Sequence, residues 1–294
     1  MSVATLEPRE RVFAGILFVS LSYFLFTVHD AVIKLLVVAI PVWQVLFFRS
    51  VTILVGCLVF GGKPIFAEAA RSPIVRPMFL RSFLIMTAWL CYYTAARDLQ
   101  LAELTTIYYA APIIVTVLSI FLLNEKVPLI RWGAVAIGFL GVFIACDPAN
   151  LGFSLPVLLV LAAALLWGLS IVLMRKIATQ EKSIVQMVLS NGFFLVTTGL
   201  PLFYLWTTPS LREVGLLVGA GALAGFAQFT LFEGMKRAPA SVIAPFEYTA
   251  LVWSFLLGYL IWGDVPRSGV FVGACLIIGA GLVIVASEHF RRRA

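Results

Sequence analysis

Long apolar runs, broken at intervals by proline, glycine and charged residues, cover almost the whole sequence. Each run is about 20 residues long, the length that an α-helix needs to cross the hydrocarbon core of a bilayer. The connections between the runs are short, and the pattern predicts ten membrane-spanning helices. Their predicted bounds are 12–36, 41–61, 78–97, 101–123, 129–146, 154–174, 184–206, 212–235, 240–262 and 268–287.

The composition agrees with a protein that resides in a lipid bilayer. Hydrophobic residues make up 62% of the 294 positions and charged residues only 12%, whereas about half of the residues of a soluble domain are apolar. The net charge of +7 comes mainly from basic residues between the runs, so it indicates topology and not a nucleic-acid partner. The first run lacks a small-residue cleavage site and is interpreted as a retained span, not a signal peptide.

Basic residues are distributed unequally between the two sides of the predicted bundle. An even number of spans places both termini on one side, and most of the basic residues fall on that side. The basic residues assigned to the opposite side are Lys34, Arg97, Arg212 and Arg267, and Arg49 lies within a span. Because cytoplasmic loops carry the excess of lysine and arginine, we expect both termini to be cytoplasmic.

The second half of the chain repeats features of the first half. An offset of 139 residues relates Arg97 to Lys236, Tyr109 to Tyr248 and Glu125 to Asp264, and a constant offset indicates duplication. We predict two five-helix repeats, 12–146 and 154–287, joined by a short linker at 147–154. Because each repeat has an odd number of spans, the second is inverted relative to the first. Secondary transporters often have this plan, with the substrate site near the midplane between the repeats.

The two equivalent tyrosines are predicted to lie at the same depth. The spans that contain Tyr109 and Tyr248 begin on opposite sides of the membrane. Each tyrosine lies roughly 13 Å along its helix, near the middle of a ~30 Å core. A phenol at this depth needs a hydrogen-bond partner, which is either a substrate or a neighbouring helix. Glu247 is also costly to expose to lipid. It is interpreted as a site for a substrate amine or a proton, with a structural hydrogen bond as the alternative.

Polar residues near the turn between spans 1 and 2 form a second candidate group. Asp30 and Arg49 have similar predicted depths and are expected to form a structural ion pair, because a lone arginine in a membrane is costly. Lys34 follows Asp30 by one helical turn and is another candidate partner. His29 is either a proton carrier or a hydrogen-bonded core residue.

Aromatic and polar residues also lie on the inner spans, and the interfacial aromatic belt does not explain Trp89 and Trp167, which are about half-way along their spans. Trp89, Tyr93, Trp167 and Gln228 are candidates for holding a small solute, with ordinary bundle packing as the alternative. Rows of glycine are interpreted as contacts within one chain, so a monomer is expected. The sequence contains no HExxH, GxSxG or Walker motif, and we predict no enzymatic activity, metal or cofactor.

Three segments resemble a known superfamily. HDAVIK, PVWQVLFFR and APFEYTALVWSFLLGYLIWGDVP, together with NEKVP, are similar to sequences of the drug/metabolite transporter superfamily, especially its EamA-type members. The resemblance extends over residues 12–287 and implies a basket of helices in which spans 1, 3, 4, 6, 8 and 9 surround a central cavity. It also implies export of aromatic or other neutral amino acids, or of related metabolites, across a bacterial inner membrane by alternating access.

The expected site combines the resemblance with the predicted depths. Five aromatic residues are expected to shape the cavity and three polar residues to contact the substrate; they are Trp89, Tyr93, Tyr109, Trp167 and Tyr248, and His29, Gln228 and Glu247. Three alternatives remain open at this point: a carrier for another metabolite such as S-adenosylmethionine, a membrane channel, and a membrane protein that transports nothing. The sequence also leaves open whether transport is coupled to protons.

Overall fold

The computed structural model is helical, without strands, over the residues that it describes, which are 8–111, 114–115, 117–118, 129–146, 154–177, 181–237 and 246–291. The helices of the first half are α1 (Pro8–Leu36), α2 (Val42–Gly61), α3 (Pro64–Ala70), α4 (Val75–Ala95), α5 (Leu101–Tyr108) and α6 (Leu129–Cys146). Those of the second half are α7 (Leu155–Ile177), α8 (Ser183–Gly199), α9 (Leu202–Leu205), α10 (Leu211–Arg237), α11 (Thr249–Trp262) and α12 (Ser268–Arg291). The linker at 147–153, the NEKVP segment with Glu125, and the start of the predicted span 240–262 lie outside the described residues.

Each predicted span contains a helix among the described residues, but α5, in the span predicted at 101–123, ends at Tyr108, and two other local differences occur. The run predicted at 78–97 is preceded by the short helix α3, and α3 and α4 are bent by 97° relative to each other. The run predicted at 184–206 ends as a helix at Gly199, and α9 follows as a separate turn. Pro201 explains the second break, because proline has no backbone N–H and cannot donate the hydrogen bond that would continue the helix.

The lengths of the helices support several membrane spans. Within the described residues, four helices are long and apolar enough to cross a membrane, or up to five if α3 and α4 together form one bent span. Further apolar helices are shorter, at 10–17 residues; they are Trp132–Cys146, Ser183–Gly199, Thr249–Trp262 and Ser268–Val283. The structure is therefore that of a multi-span helical membrane protein, and the predicted number of ten spans stays a prediction.

Helices of the two predicted halves pack mainly against each other. α1 packs on α10, and α4, the equivalent of α10, packs on α7, the equivalent of α1. In the same way, α2 contacts α10 while α8 contacts α4. The pairs α2 with α8, α5 with α11 and α6 with α12 each join two equivalent helices. This exchange of partners is what a two-fold relation between the halves produces.

Several polar side chains lie inside the bundle, and many large apolar side chains lie on its outer surface. His29, Gln44, Ser82, Thr106 and Ser254 are all nearly inaccessible. By contrast, side chains on the outer surface such as Phe60 and Phe203 are 87% and 84% exposed. An apolar outer surface of this extent is typical of a protein that is surrounded by lipid.

Candidate functional site

The two equivalent tyrosines lie in contact between the halves. Tyr109 directly follows α5 and Tyr248 directly precedes α11. Their ring centroids are 5.5 Å apart and the rings are inclined by 34°. The Tyr109 hydroxyl donates a hydrogen bond of 2.6 Å to the backbone carbonyl of Glu247. Each half therefore contributes one ring to the pair, and the partner of the Tyr109 phenol is a backbone group of the other half.

The Glu247 side chain points to a different helix from its backbone carbonyl. Its carboxyl group interacts with the hydroxyl of Tyr23 on α1. Tyr23 was not identified from the sequence, although it precedes Asp30 by seven residues and so shares a face of α1 with it. Two carboxyl groups, those of Asp30 and Glu247, are thus associated with one face of α1.

His29 links α1 to two other helices. Its Nδ1 lies 2.9 Å from the carbonyl oxygen of Ala220 on α10, and its Nε2 lies 3.1 Å from the hydroxyl of Tyr93 on α4. Because a carbonyl can only accept, Nδ1 carries the proton, and in the neutral ring Nε2 accepts from Tyr93. Both ring nitrogens are therefore occupied by protein groups in this conformation.

The predicted ion pair between Asp30 and Arg49 is not formed in this structure, although both residues are described. No oxygen of Asp30 lies within 4.0 Å of a nitrogen of Arg49, and the Tyr92 hydroxyl donates to Asp30 Oδ2 at 3.4 Å. The Arg49 guanidinium instead lies over the ring of Trp89, with Cζ at 3.6 Å from the ring centroid. Stacking on an aromatic face is a stable arrangement for a planar guanidinium. Depth alone placed the two groups together, but the rotation of α2 directs Arg49 to α4.

Lys34 is likewise not a partner of Asp30. Its Nζ donates to the carbonyl oxygen of Leu99 at 2.5 Å and lies 4.0 Å from Asp264 Oδ2. Nearby, Arg267 contacts Glu103 at the start of α5 through its Nη2 at 2.9 Å. Both ion pairs join the first half of the chain to the second, and they lie at the end of the bundle where α1 ends and α12 begins.

The predicted aromatic residues belong to a series of ring contacts. Tyr92 contacts Tyr108 at 5.0 Å between centroids, and Tyr108 contacts Trp167 at 6.5 Å. Trp89 contacts Phe194 at 5.3 Å. Tyr92 and Tyr108 were not among the predicted site residues, and their ring contacts place them between Tyr93 and Trp167, which were.

Gln228 lies apart from these contacts. It is half-buried on α10, and its side chain makes no hydrogen bond within the described part of the chain. Its predicted role in binding a substrate stays a prediction.

A cavity of about 370 Å³ lies away from the predicted residues. It is found where α2 begins and α4 ends, and its lining consists of Pro41, Val42, Trp43, Leu90, Cys91, Thr94, Arg97 and Leu159. None of the predicted site residues lines it, and its walls offer few groups that would fix a polar solute. The described residues contain no group of three or more histidine, cysteine, aspartate or glutamate side chains placed to hold a metal ion.

The fold and these contacts define a multi-span membrane protein with a polar, aromatic interior formed by two halves. The sequence pattern of the EamA-like transporter family matches residues 13–146 and again residues 154–286. The chain therefore belongs to the EamA-like transporter family, with two copies of the family's repeat.

Curated relatives of similar length are transporters of different solutes. The chain is 29% identical to an S-adenosylmethionine uptake transporter of Rickettsia prowazekii, with 93% of each chain covered. It is 29% identical to a riboflavin transporter of Vibrio cholerae over 68% of this chain and 67% of that protein. It is 24% identical to the pseudopaline exporter CntI of Pseudomonas aeruginosa, covering 92% and 95%. These relatives are transporters of small molecules.

A solved crystal structure has the same fold. It superposes with a TM-score of 0.65 at 19% identity and covers 97% of this chain and 98% of its own. This likeness supports the helical architecture over the whole length.

Proposed function

We propose that the protein is a secondary carrier that moves a small metabolite with an amino-acid group across a bacterial inner membrane by alternating access. The observation that carries the proposal is the contact between Tyr109 and Tyr248 at the interface of the halves. A substrate bound beside this pair would touch both halves, so movement of the halves would change its access to either side of the membrane.

The chemistry of the surrounding groups favours a substrate with an ammonium or sulfonium group and a flat ring. Asp30 and Glu247 can attract a cationic group, and the nearby aromatic rings can stack on a ring or attract a cation. An aromatic amino acid fits this description, and other neutral amino acids have the ammonium group without the ring. S-adenosylmethionine also fits, and the similarity to an S-adenosylmethionine transporter over 93% of the chain favours it as a second candidate.

Alternating access requires contacts between the halves to break at one end while they form at the other. Arg267 with Glu103 and Lys34 with Asp264 join the halves at one end. Lys182 with Glu68, at 2.8 Å, joins them at the opposite end. We propose that these polar contacts open in turn as the two inverted repeats move, that both termini are cytoplasmic, and that the physiological flux is outward.

Counterflow in liposomes tests the proposal. Liposomes that contain the purified protein and are loaded with an unlabelled solute should take up the same solute in labelled form. The solutes to be tested are L-phenylalanine, L-tryptophan and S-adenosylmethionine. Uptake should saturate, because a carrier binds its substrate in each cycle. Tyr109→Ala and Tyr248→Ala should each weaken apparent affinity by on the order of tenfold, since each removes an aromatic contact and Tyr109 also loses a hydrogen bond.

The control is Tyr259→Ala on α11, because Tyr259 is 60% exposed on the outer surface and should not affect counterflow. Non-saturating flux would indicate a channel. If both inner-tyrosine variants fold and transport like the unmodified protein, the site assignment is wrong.

A further inference from the structure

Arg49 is a buried arginine that lacks hydrogen-bond partners. The residue is only 3% exposed, and its Nε and Nη1 have no partner. None of its nitrogens donates a hydrogen bond to the described residues. A guanidinium has five N–H donors, and leaving a charged donor unpaired away from water is among the costliest arrangements in a protein interior.

The groups around Arg49 leave donors at the edge of its guanidinium without a hydrogen-bond partner. Trp89 covers one face of the plane, but the N–H groups point outward within the plane, towards its edge. Asp30 is near enough to interact through space but too far for an ion pair, and its Oδ2 accepts from Tyr92. The arrangement holds the cation in place, with its Nε and Nη1 donors buried and unpaired in this conformation.

We infer that the edge of Arg49 binds the carboxylate group of the transported substrate. A carboxylate accepts two parallel hydrogen bonds from a guanidinium, which matches the donors that are free. Asp30 on α1 would then attract the ammonium group of the same substrate, while Trp89 holds Arg49 in position. This inference rests on the proposed function and specifies the substrate class as a zwitterion with a free carboxylate.

Matched ligand pairs test this assignment. Each pair differs by the carboxylate alone: L-phenylalanine with phenethylamine, and S-adenosylmethionine with its decarboxylated analogue. In counterflow by the unmodified protein in liposomes, the carboxylate-bearing member of each pair should compete more strongly than the other member. The expected difference is on the order of 10- to 100-fold, as for a charged hydrogen-bonded pair. Arg49→Gln should remove this preference by weakening the carboxylate-bearing member only, and Arg49→Lys should restore part of it, because lysine keeps the charge without the planar fork.

Arg81→Gln is the matched control. Arg81 is also a buried arginine, 8% exposed with an unpartnered Nε, but it precedes Trp89 by eight residues, roughly 12 Å along α4. Its replacement should leave the preference for the carboxylate unchanged. Thermal unfolding of each variant in detergent shows whether the protein still folds.

The outcomes separate this inference from the proposed function. If the unmodified protein transports none of the carboxylate-bearing probes, the proposed function fails and the inference fails with it. If the unmodified protein transports one of them, but the carboxylate-free member of the pair competes equally well in counterflow, the inference alone is wrong. It is also wrong if Arg49→Gln weakens both members of a pair equally or lowers only the unfolding temperature, because Arg49 would then have a purely structural role.

Discussion

Tyr248 occupies a recess that exists because one residue of α12 has no side chain. A Cβ atom built at Gly281 would overlap Cζ, Cε2 and Oη of Tyr248. The half-buried tyrosine ring thus lies directly on the backbone of α12 on one side and faces the ring of Tyr109 on the other. The position of the ring pair therefore depends on a glycine outside it.

Gly281→Ala is expected to impair transport without unfolding the protein. The three atoms nearest to the added methyl group all belong to the far end of one side chain, which can swing away, so the helices need not separate. Tyr248 would leave its place beside Tyr109, and the apparent affinity for the counterflow substrate should fall by about threefold to tenfold, the equivalent of one aromatic contact.

The matched control is Gly279→Ala on the same helix. No heavy atom outside the helix backbone lies within 4 Å of a Cβ at that position, so counterflow should be unchanged. Equal effects of the two substitutions would show that α12 tolerates no added methyl group and would remove the argument for a specific recess.

At the residue scale, depth along a helix could be predicted from the sequence, but rotation about the helix axis could not. The equal depths of Tyr109 and Tyr248 predicted their proximity because both residues lie on spans that meet between the halves. Equal depth failed for Asp30 and Arg49, since α2 presents Arg49 to Trp89. Tyr23 was missed for the same reason, because its importance comes from the direction of the Glu247 side chain.

At the scale of helices, α6 and α12 are in contact through their backbones. A Cβ at Gly273 would lie 2.5 Å from the carbonyl oxygen of Gly141, and one at Gly141 would lie 2.8 Å from the carbonyl oxygen of Gly273. These two glycines belong to the rows that the sequence analysis interpreted as contacts within one chain. For this pair of helices, the close contact is within the chain, as small residues permit in membranes.

Gly273→Ala is expected to destabilise the protein by forcing α6 and α12 apart. The clash is with backbone atoms that cannot move independently, and overpacking of this kind costs about 1–3 kcal/mol. Thermal unfolding of the detergent-solubilised protein should therefore begin at a lower temperature. Gly133→Ala on α6 is the control, because a Cβ there has no neighbour within 4 Å; a similar loss in both variants would contradict the specific contact.

The helices themselves were largely predictable because proline and glycine mark their ends. Pro41 directly precedes α2, and Gly263, with φ of 69°, ends α11 in a left-handed conformation that suits glycine. The short helix α3 and its 97° bend from α4 were not predicted, because seven residues are too few for a periodic pattern to be distinguished. Packing against α8, not local sequence preference, stabilises such a helix.

At the scale of the whole molecule, contacts that involve loops and helix ends define two ends of the bundle. Ser72 donates to Glu181 at 2.6 Å at one end. At the other end, Gln44 exchanges hydrogen bonds with the backbone of Thr207, with its Nε2 2.8 Å from the carbonyl oxygen. The sequence analysis assigned these loops to the same two groups from their basic residues. The grouping is a property of the fold, whereas the side of the membrane that each group faces follows only from the charges.

Cysteine labelling in intact cells tests the predicted orientation. Arg71 and Thr208 are exposed residues at the two ends, and each is replaced singly by cysteine in a background that lacks the four native cysteines. Because most basic residues accompany Arg71, its end should be cytoplasmic, so an impermeant maleimide should label Thr208→Cys and not Arg71→Cys. Membrane permeabilisation should expose Arg71→Cys, which controls for intrinsic reactivity. The reverse pattern would place both termini outside and would show that the charge distribution does not set the orientation of this protein.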